Sequence, residues 1–217
     1  GKILQEISVF ELIYENRYEG TLLGHGPSDV MLHGQDLLHL NDIKVLSPDM
    51  ADAFPGFQAG DLLISLRNIN MILVVDPRER RIKWHHIGHF LRQHDPHFLA
   101  DGTISVFDNR DDQAQGEILG GSRIVTLDPE TGRLQIMYQG SENTPFFTGI
   151  LGKHQYLENG NILITEGQKG RIFEVTPRGE IVWEYVNKYD DTNIAWVEQG
   201  HRYPYSYTQF LQQGDEQ

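Results

Sequence analysis

Three times along this chain a histidine opens a stretch of strand-forming sequence, and that repetition limits the fold more than any other feature of the 217 residues. The copies begin His39-Leu-Asn-Asp followed by Gly60-Asp-Leu-Leu-Ile-Ser, then His94-Asp-Pro-His-Phe-Leu-Ala-Asp-Gly102-Thr-Ile-Ser-Val, then His154-Gln-Tyr-Leu-Glu-Asn-Gly160-Asn-Ile-Leu-Ile. Each continues into a second apolar run that ends in a turn, at Val74-Val-Asp-Pro77, Thr126-Leu-Asp-Pro129 and Glu174-Val-Thr-Pro177. Each closes on a run ending in an aromatic, at Trp84, Tyr138 and Trp183. Short strands and Gly/Pro turns recurring about every fifty residues are the signature of a β-propeller array. The fold class read from this is all-β, a propeller of four-stranded antiparallel blades present as a partial set. Equivalent loops of equivalent blades would converge on a central channel, so residues distant in sequence would form a ring.

The organisation expected is a propeller over residues 1–211 with three complete repeats at 36–86, 92–140 and 152–186, partial blades at both ends, and a disordered tail at 212–217. Strands are expected at 62–65, 69–75, 104–107, 123–127, 162–165, 171–175 and 180–185, which are rich in β-branched residues and bounded by Gly, Asp, Asn or Pro. Residues 1–9 read as the closing strand of a further blade, and 203–207 as the opening of another. Residues 47–59 are an insertion forming a loop or short helix over one face. Residues 111–121, polar and Gly-rich, are expected to be a mobile hairpin extension. A single short helix is expected over 8–19, with Ser8 as N-cap and Glu11 three residues on.

A formal net charge of −13 argues against nucleic-acid binding through phosphates, and any anionic ligand would need a local cationic pocket. No apolar run approaches the roughly 20 residues needed to cross a bilayer. A basic segment followed by an apolar signal stretch is not visible, and a membrane anchor or targeting segment outside this chain is compatible with the sequence. The absence of cysteine rules out disulfides and thiolate chemistry without choosing a compartment.

The spacing of His39, His94, His154 and His201 is 55, 60 and 47 residues, one histidine per repeat. Two readings stand: each histidine hydrogen-bonds a neighbouring blade, or the set lines one channel. His33, His85, His86, His89 and His97 fall outside that spacing and read as surface or structural. Asn41 and Asp42 beside His39, Arg67 and Asn68 after the first inner strand, Asp108 and Asn109 after the second, and Glu166 after the third would share the channel. Histidine, arginine and asparagine donors together suit an anion. The competing reading for Arg67 is an ion pair with Asp108. A zinc or copper site built from distant loops is a further alternative, although no local ligand spacing such as HExxH occurs. No G-x-S-x-G supports a hydrolase triad.

The combination Leu38-His39-Leu-Asn41-Asp42, Ser65-Leu-Arg67-Asn68, Gln93-His94-Asp-Pro with Phe107-Asp108-Asn109, and Asn159-Gly-Asn-Ile-Leu-Ile-Thr-Glu166 resembles the arylsulfotransferase family, phosphoadenosine-independent aryl-sulfate sulfotransferases with a six-bladed propeller. The resemblance spans roughly residues 1–210. It implies transfer of a sulfuryl group from a phenolic sulfate ester to a phenol, in ping-pong fashion, through a sulfohistidine at His94. It also implies His39, Asn41 and Arg67 as further catalytic residues, and Asn109, His154 and Glu166 as substrate-binding ones. Aryl sulfates and phenols are the implied partners, no cofactor or metal is implied, and a periplasmic or otherwise exported location follows from the resemblance. Two departures accompany it. A further channel histidine of the family has no counterpart before His25, and the segment between Asn41 and Arg67 is longer than the family pattern. The alternative is a non-catalytic propeller of the same ancestry that binds a small ligand or a protein.

Overall fold

The computed structural model describes residues 1–3, 5–23 and 36–207. The chain forms two compact units, Gly1–Ile150 and Leu151–Gln217. The first carries two four-stranded sheets. One is built from β1 (Leu40–Val45), β2 (Leu62–Leu66), β3 (Met71–Asp76) and β4 (Arg81–Ile87), the other from β5 (His94–Phe98), β6 (Ile104–Asp108), β7 (Arg123–Leu127) and β8 (Leu134–Gln139). In each, sequence order is spatial order and every neighbour pair is antiparallel, the meander of a propeller blade. The second unit holds one sheet of the same kind, from β9 (Lys153–Tyr156), β10 (Ile162–Glu166), β11 (Arg171–Val175) and β12 (Ile181–Val186).

Period-two alternation explains how the first sheet buries both faces. Leu63, Ile72 and Val74 join a core shared with Phe98, Ile104, Val106, Val125 and Leu127 of the second sheet. Their neighbours Ile64, Leu66, Met71, Leu73 and Val75 face the other way, onto Leu12, Ile13 and Leu22. With partners on both sides, every residue of β3 is buried, so Met71–Val75 is a continuous apolar run rather than an alternating one. Phe54, from the 47–59 insertion, is 1% exposed and fills the first core, with its ring edge on Phe98. Burying a side chain of that size contributes about 1.5–3 kcal/mol. Trp84 of β4 spans the same seam, donating its indole N–H to the carbonyl of Pro129 at 3.0 Å.

The turns form for the reason their sequences suggest. Asp76 accepts N–H bonds from Arg78 and Glu79, Asp128 from Glu130 and Thr131, and the Thr176 hydroxyl from Arg178 and Glu180. Helix α1 (Val9–Glu15) starts at Ser8, whose hydroxyl accepts from Glu11 N–H, as expected. It stops four residues short of the expected end, because Asn16 leaves the helix to accept from Ile82 N–H and donate to the Arg80 carbonyl, and Arg17 is left-handed. A second helix, α2 (Glu19–Leu23), follows.

Other expectations are corrected. Residues 1–3 and 5–8 form no strand, and 205–207 make a helical turn rather than opening a new sheet. The 111–121 segment is an ordered loop wound around one carboxylate: Asp112 accepts from the backbone N–H of Ala114, Gly116, Ile118 and Leu119. Those four bonds, outweighing its partial desolvation, hold the Asp112 carboxyl below its ordinary range. His25, His33 and the 212–217 tail lie outside the described residues.

Candidate active site

The three inner strands start from equivalent glycines, Gly60, Gly102 and Gly160, so Leu62, Ile104 and Ile162 are matched positions. The ladders then place each histidine. His94 pairs with Phe107, whereas His154 pairs with Ile164, one step nearer the start of the inner strand. The residue matching His94 in the second unit is Lys153, opposite Thr165, and in the first sheet it is Asp42, opposite Ser65. His39 lies before β1 altogether. Its carbonyl accepts from Arg67 N–H, and the matching positions are Arg92 and Leu151. All three sit in the left-handed region, with φ of 49°, 55° and 63°. The histidines, evenly spaced in sequence, therefore occupy three different positions of the repeat. A one-residue shift in a strand moves a side chain to the other face.

Within the first unit, four of the expected site residues are joined by hydrogen bonds around His94. The His94 ring is 9% exposed, and its Nδ1 lies 2.7 Å from Asn109 Oδ1. Asn109 is fully buried and donates its Nδ2 to the Thr148 carbonyl at 2.8 Å. The next carbonyl, Gly149, lies 3.5 Å from Arg67 Nη2. On the other side, Asn41 donates Nδ2 to the carbonyl of Gln93, the residue before His94. Gln93 is itself fully buried, its amide bonding Ser65 Oγ and the Leu66 and Met71 carbonyls, which pins the head of β5 to the first sheet. The chain turns sharply there: Asp95 is left-handed and the ladder shifts register between His94 and His97. That irregularity is what admits Pro96 to a strand.

Arg67 is 8% exposed. Among the described residues no carboxylate lies within ion-pair distance of it, and its Nε, fully enclosed, has no hydrogen-bond partner. Burial and then the positive charge of Arg92 depress its pKa, against a weaker opposing pull from Asp111 and Asp36. The expected competitor, Asp108, is engaged elsewhere. It accepts from Arg123 at 2.7 Å and from Leu91 N–H, and burial pushes its carboxyl up in spite of both. A buried guanidinium with unfilled donors attracts an anion.

His39 is half exposed, with Nδ1 2.6 Å from Asp36 Oδ2, and Asn68 donates to the Asp36 carbonyl. It is thus tied beside Arg67 through the backbone, with an acidic partner that the sequence reading had not singled out. Asn109, expected among substrate-binding groups, spends its amide on His94 and Thr148. In the second unit, His154 is buried with its ring edge on Tyr156, and Glu166, also buried, pairs with Arg171 at 3.4 Å. Thr148 and Gly149 were missed because their contribution is through backbone carbonyls, which no residue type announces.

Residues 1–188 match the family described as arylsulfotransferase (ASST). No curated protein matches the chain. Among solved structures, virginiamycin B lyase from Staphylococcus aureus is similar at 18% identity and a TM-score of 0.44, over 70% of this chain and 42% of its own. BamB from Moraxella catarrhalis is similar at 14% identity and a TM-score of 0.35, over 71% of this chain and 40% of its own. The chain spans less than half the length of either.

Proposed function

The chain belongs to the arylsulfotransferase family, and from that premise we propose that it transfers a sulfuryl group from an aryl sulfate to a phenol through a covalent sulfohistidine at His94. The observation that carries the proposal is the enclosed guanidinium of Arg67, without an ion-pair partner among the described residues, joined to the His94–Asn109 pair through the adjacent carbonyls of Thr148 and Gly149. A nucleophile beside an anion-binding cation is the minimum that sulfuryl transfer requires.

In the first half-reaction a ring nitrogen of His94 forms a bond to sulfur, the sulfur–aryl oxygen bond breaks, and phenolate leaves with the electron pair. In the second, a phenol oxygen attacks the same sulfur and the histidine is released. Positioning and charge stabilisation supply most of the acceleration in such transfers, as for phosphoryl groups. Arg67 would bind the sulfuryl oxygens, and the Asn41 amide would supply a further N–H donor. His39, whose Nδ1 lies 2.6 Å from Asp36, would exchange the phenolic proton. The complete ring of six blades, like the phenolic substrates, belongs to the proposal.

The test is intact-mass spectrometry after mixing with 4-nitrophenyl sulfate, kept alkaline because sulfohistidine is acid-labile. A sulfuryl adduct mapped to His94 and discharged by phenol is the expected result. Absence of both adduct and nitrophenol release, in a chain that nevertheless binds the ester, would replace this reading with that of a non-catalytic binding protein.

A further inference from the structure

An imidazole attacks only through the nitrogen that carries no proton, so the position of one hydrogen on His94 decides which atom can meet sulfur. The surroundings of the ring fix that position. A carbonyl oxygen can only accept, so the atom of Asn109 facing the Thr148 carbonyl at 2.8 Å is Nδ2, and the atom left to face His94 is Oδ1. Oδ1 also can only accept. At 2.7 Å from it, His94 Nδ1 must be the donor and carry the hydrogen. The neutral ring is then protonated at Nδ1, with its lone pair at Nε2.

The Asn109 amide cannot easily flip. The Thr148 carbonyl that sets its orientation is held by its own neighbours: Thr148 N–H donates to Ser122 Oγ at 3.1 Å, and Ser122 Oγ donates to the Asn109 carbonyl at 2.9 Å. Asn109, Ser122 and Thr148 are all fully buried, so water does not compete for these bonds.

We propose that Asn109 is a positioning residue, which the Thr148 carbonyl orients so that its amide oxygen locks His94 in the Nδ1–H tautomer and makes Nε2 the attacking atom. This deepens the sulfuryl-transfer reading and rests on it only for the identity of the reaction. When Nε2 bonds to sulfur and the aryl oxygen departs with the electron pair, the Nδ1 proton stays on the ring. An amide oxygen is too weak a base to remove it. The ring of the intermediate is therefore positively charged, which makes it a good leaving group for the second transfer. A carboxylate in the same place would draw that proton away and make the intermediate more persistent.

The test is nitrogen-15 NMR of the histidine rings in the wild-type chain, with His94 assigned by its loss in His94→Asn. Protonated Nδ1 and unprotonated Nε2 are expected; a ring protonated at Nε2 overturns the proposal. In Asn109→Leu, checked for native circular dichroism, the single tautomer should give way to a mixture. Sulfuryl uptake should fall about 10²–10⁴-fold, as when a catalytic histidine is left in the wrong tautomer. Asn109→Asp, which keeps an acceptor at Oδ1, should restore the Nδ1–H spectrum. An Asn109→Leu ring with an unchanged tautomer and full uptake also overturns it. Should that variant not fold, the wild-type spectrum decides alone. An Nδ1–H spectrum in a chain that never forms an adduct would leave the tautomer lock standing and remove the sulfuryl-transfer reading instead.

Discussion

The sheet of the second unit repeats two backbone irregularities of the first sheet, yet at matched positions the side chains are chemically unlike. In both, the second strand runs into one 3₁₀ turn, Arg67–Ile69 or Gly167–Lys169, which a left-handed residue closes, Asn70 at φ 51° or Gly170 at φ 56°. In both, the outer pair shifts register at the same point, between Val74 and Val75 or between Glu174 and Val175. But the 3₁₀ turn opens with a buried guanidinium in one and a glycine in the other. Where the first sheet has Asn41 and Asp42, the second unit has Lys153. The frame is repeated and the chemistry is not. The second sheet departs from both: at the position of Arg67 it has Asn109, and the 3₁₀ turn gives way to the loop wound on Asp112.

The largest effect expected from breaking this asymmetry is at His94. His94→Asn should reduce the sulfuryl adduct to nothing measurable by mass while circular dichroism stays native. Next is Arg67→Met, which removes the charge from the position that is glycine in the second unit. It should lower the rate of nitrophenol release about 10²–10³-fold, the usual loss for one charge-stabilising donor. Stability separates the two left-handed caps. A β-carbon at Gly170 would overlap the carbonyl oxygen of Ala195, so Gly170→Ala should destabilise the second unit by about 2–4 kcal/mol, read as faster hydrogen exchange across β10 and β11. Asn70→Gly relieves the same backbone strain but loses the bond from Arg92 N–H to Asn70 Oδ1, and should move stability by less than about 1 kcal/mol.

The smallest effect concerns the loop after β12. Asp190 bonds Asn193 and Thr192, and these hold its pKa down from 3.8 to about 2. A depressed carboxylate adds stability above its unfolded pKa. The contribution should therefore be intact above about pH 4 and be lost as pH falls toward 2. Loosening of residues 190–195 in that interval, absent from Asp190→Ala, is the expected signature by NMR.

The sequence revealed the frame where side chains and backbone agree. The β-branched inner strands, the Asp-Pro and Thr-Pro turns and the Ser8 cap could all be read because each states its own geometry. The first strands were hidden, since Leu-Asn-Asp-Ile-Lys-Val, His-Asp-Pro-His-Phe and Lys-His-Gln-Tyr lack an apolar period and two of them carry bulges. The evenly spaced histidines misled for a related reason. Loop lengths before each strand differ, so equal spacing does not give equal ladder position, and the left-handed residues His39, Arg92 and Leu151 are the better ruler. Asp111–Gly121 looked mobile because its composition is polar, but four N–H bonds to Asp112 order it.

The indole of Trp84, bonded to Pro129 across the seam between the first two sheets, has an optical consequence. The other two tryptophans, Trp183 and Trp196, belong to the second unit and are 45% and 60% exposed. Emission from a partly enclosed, hydrogen-bonded indole is shifted to the blue of emission from wetted ones and is harder for acrylamide to quench. The two units of this unlabelled chain can thus be followed separately in one cuvette, the blue component reporting the seam between the first two sheets and the red one the second unit.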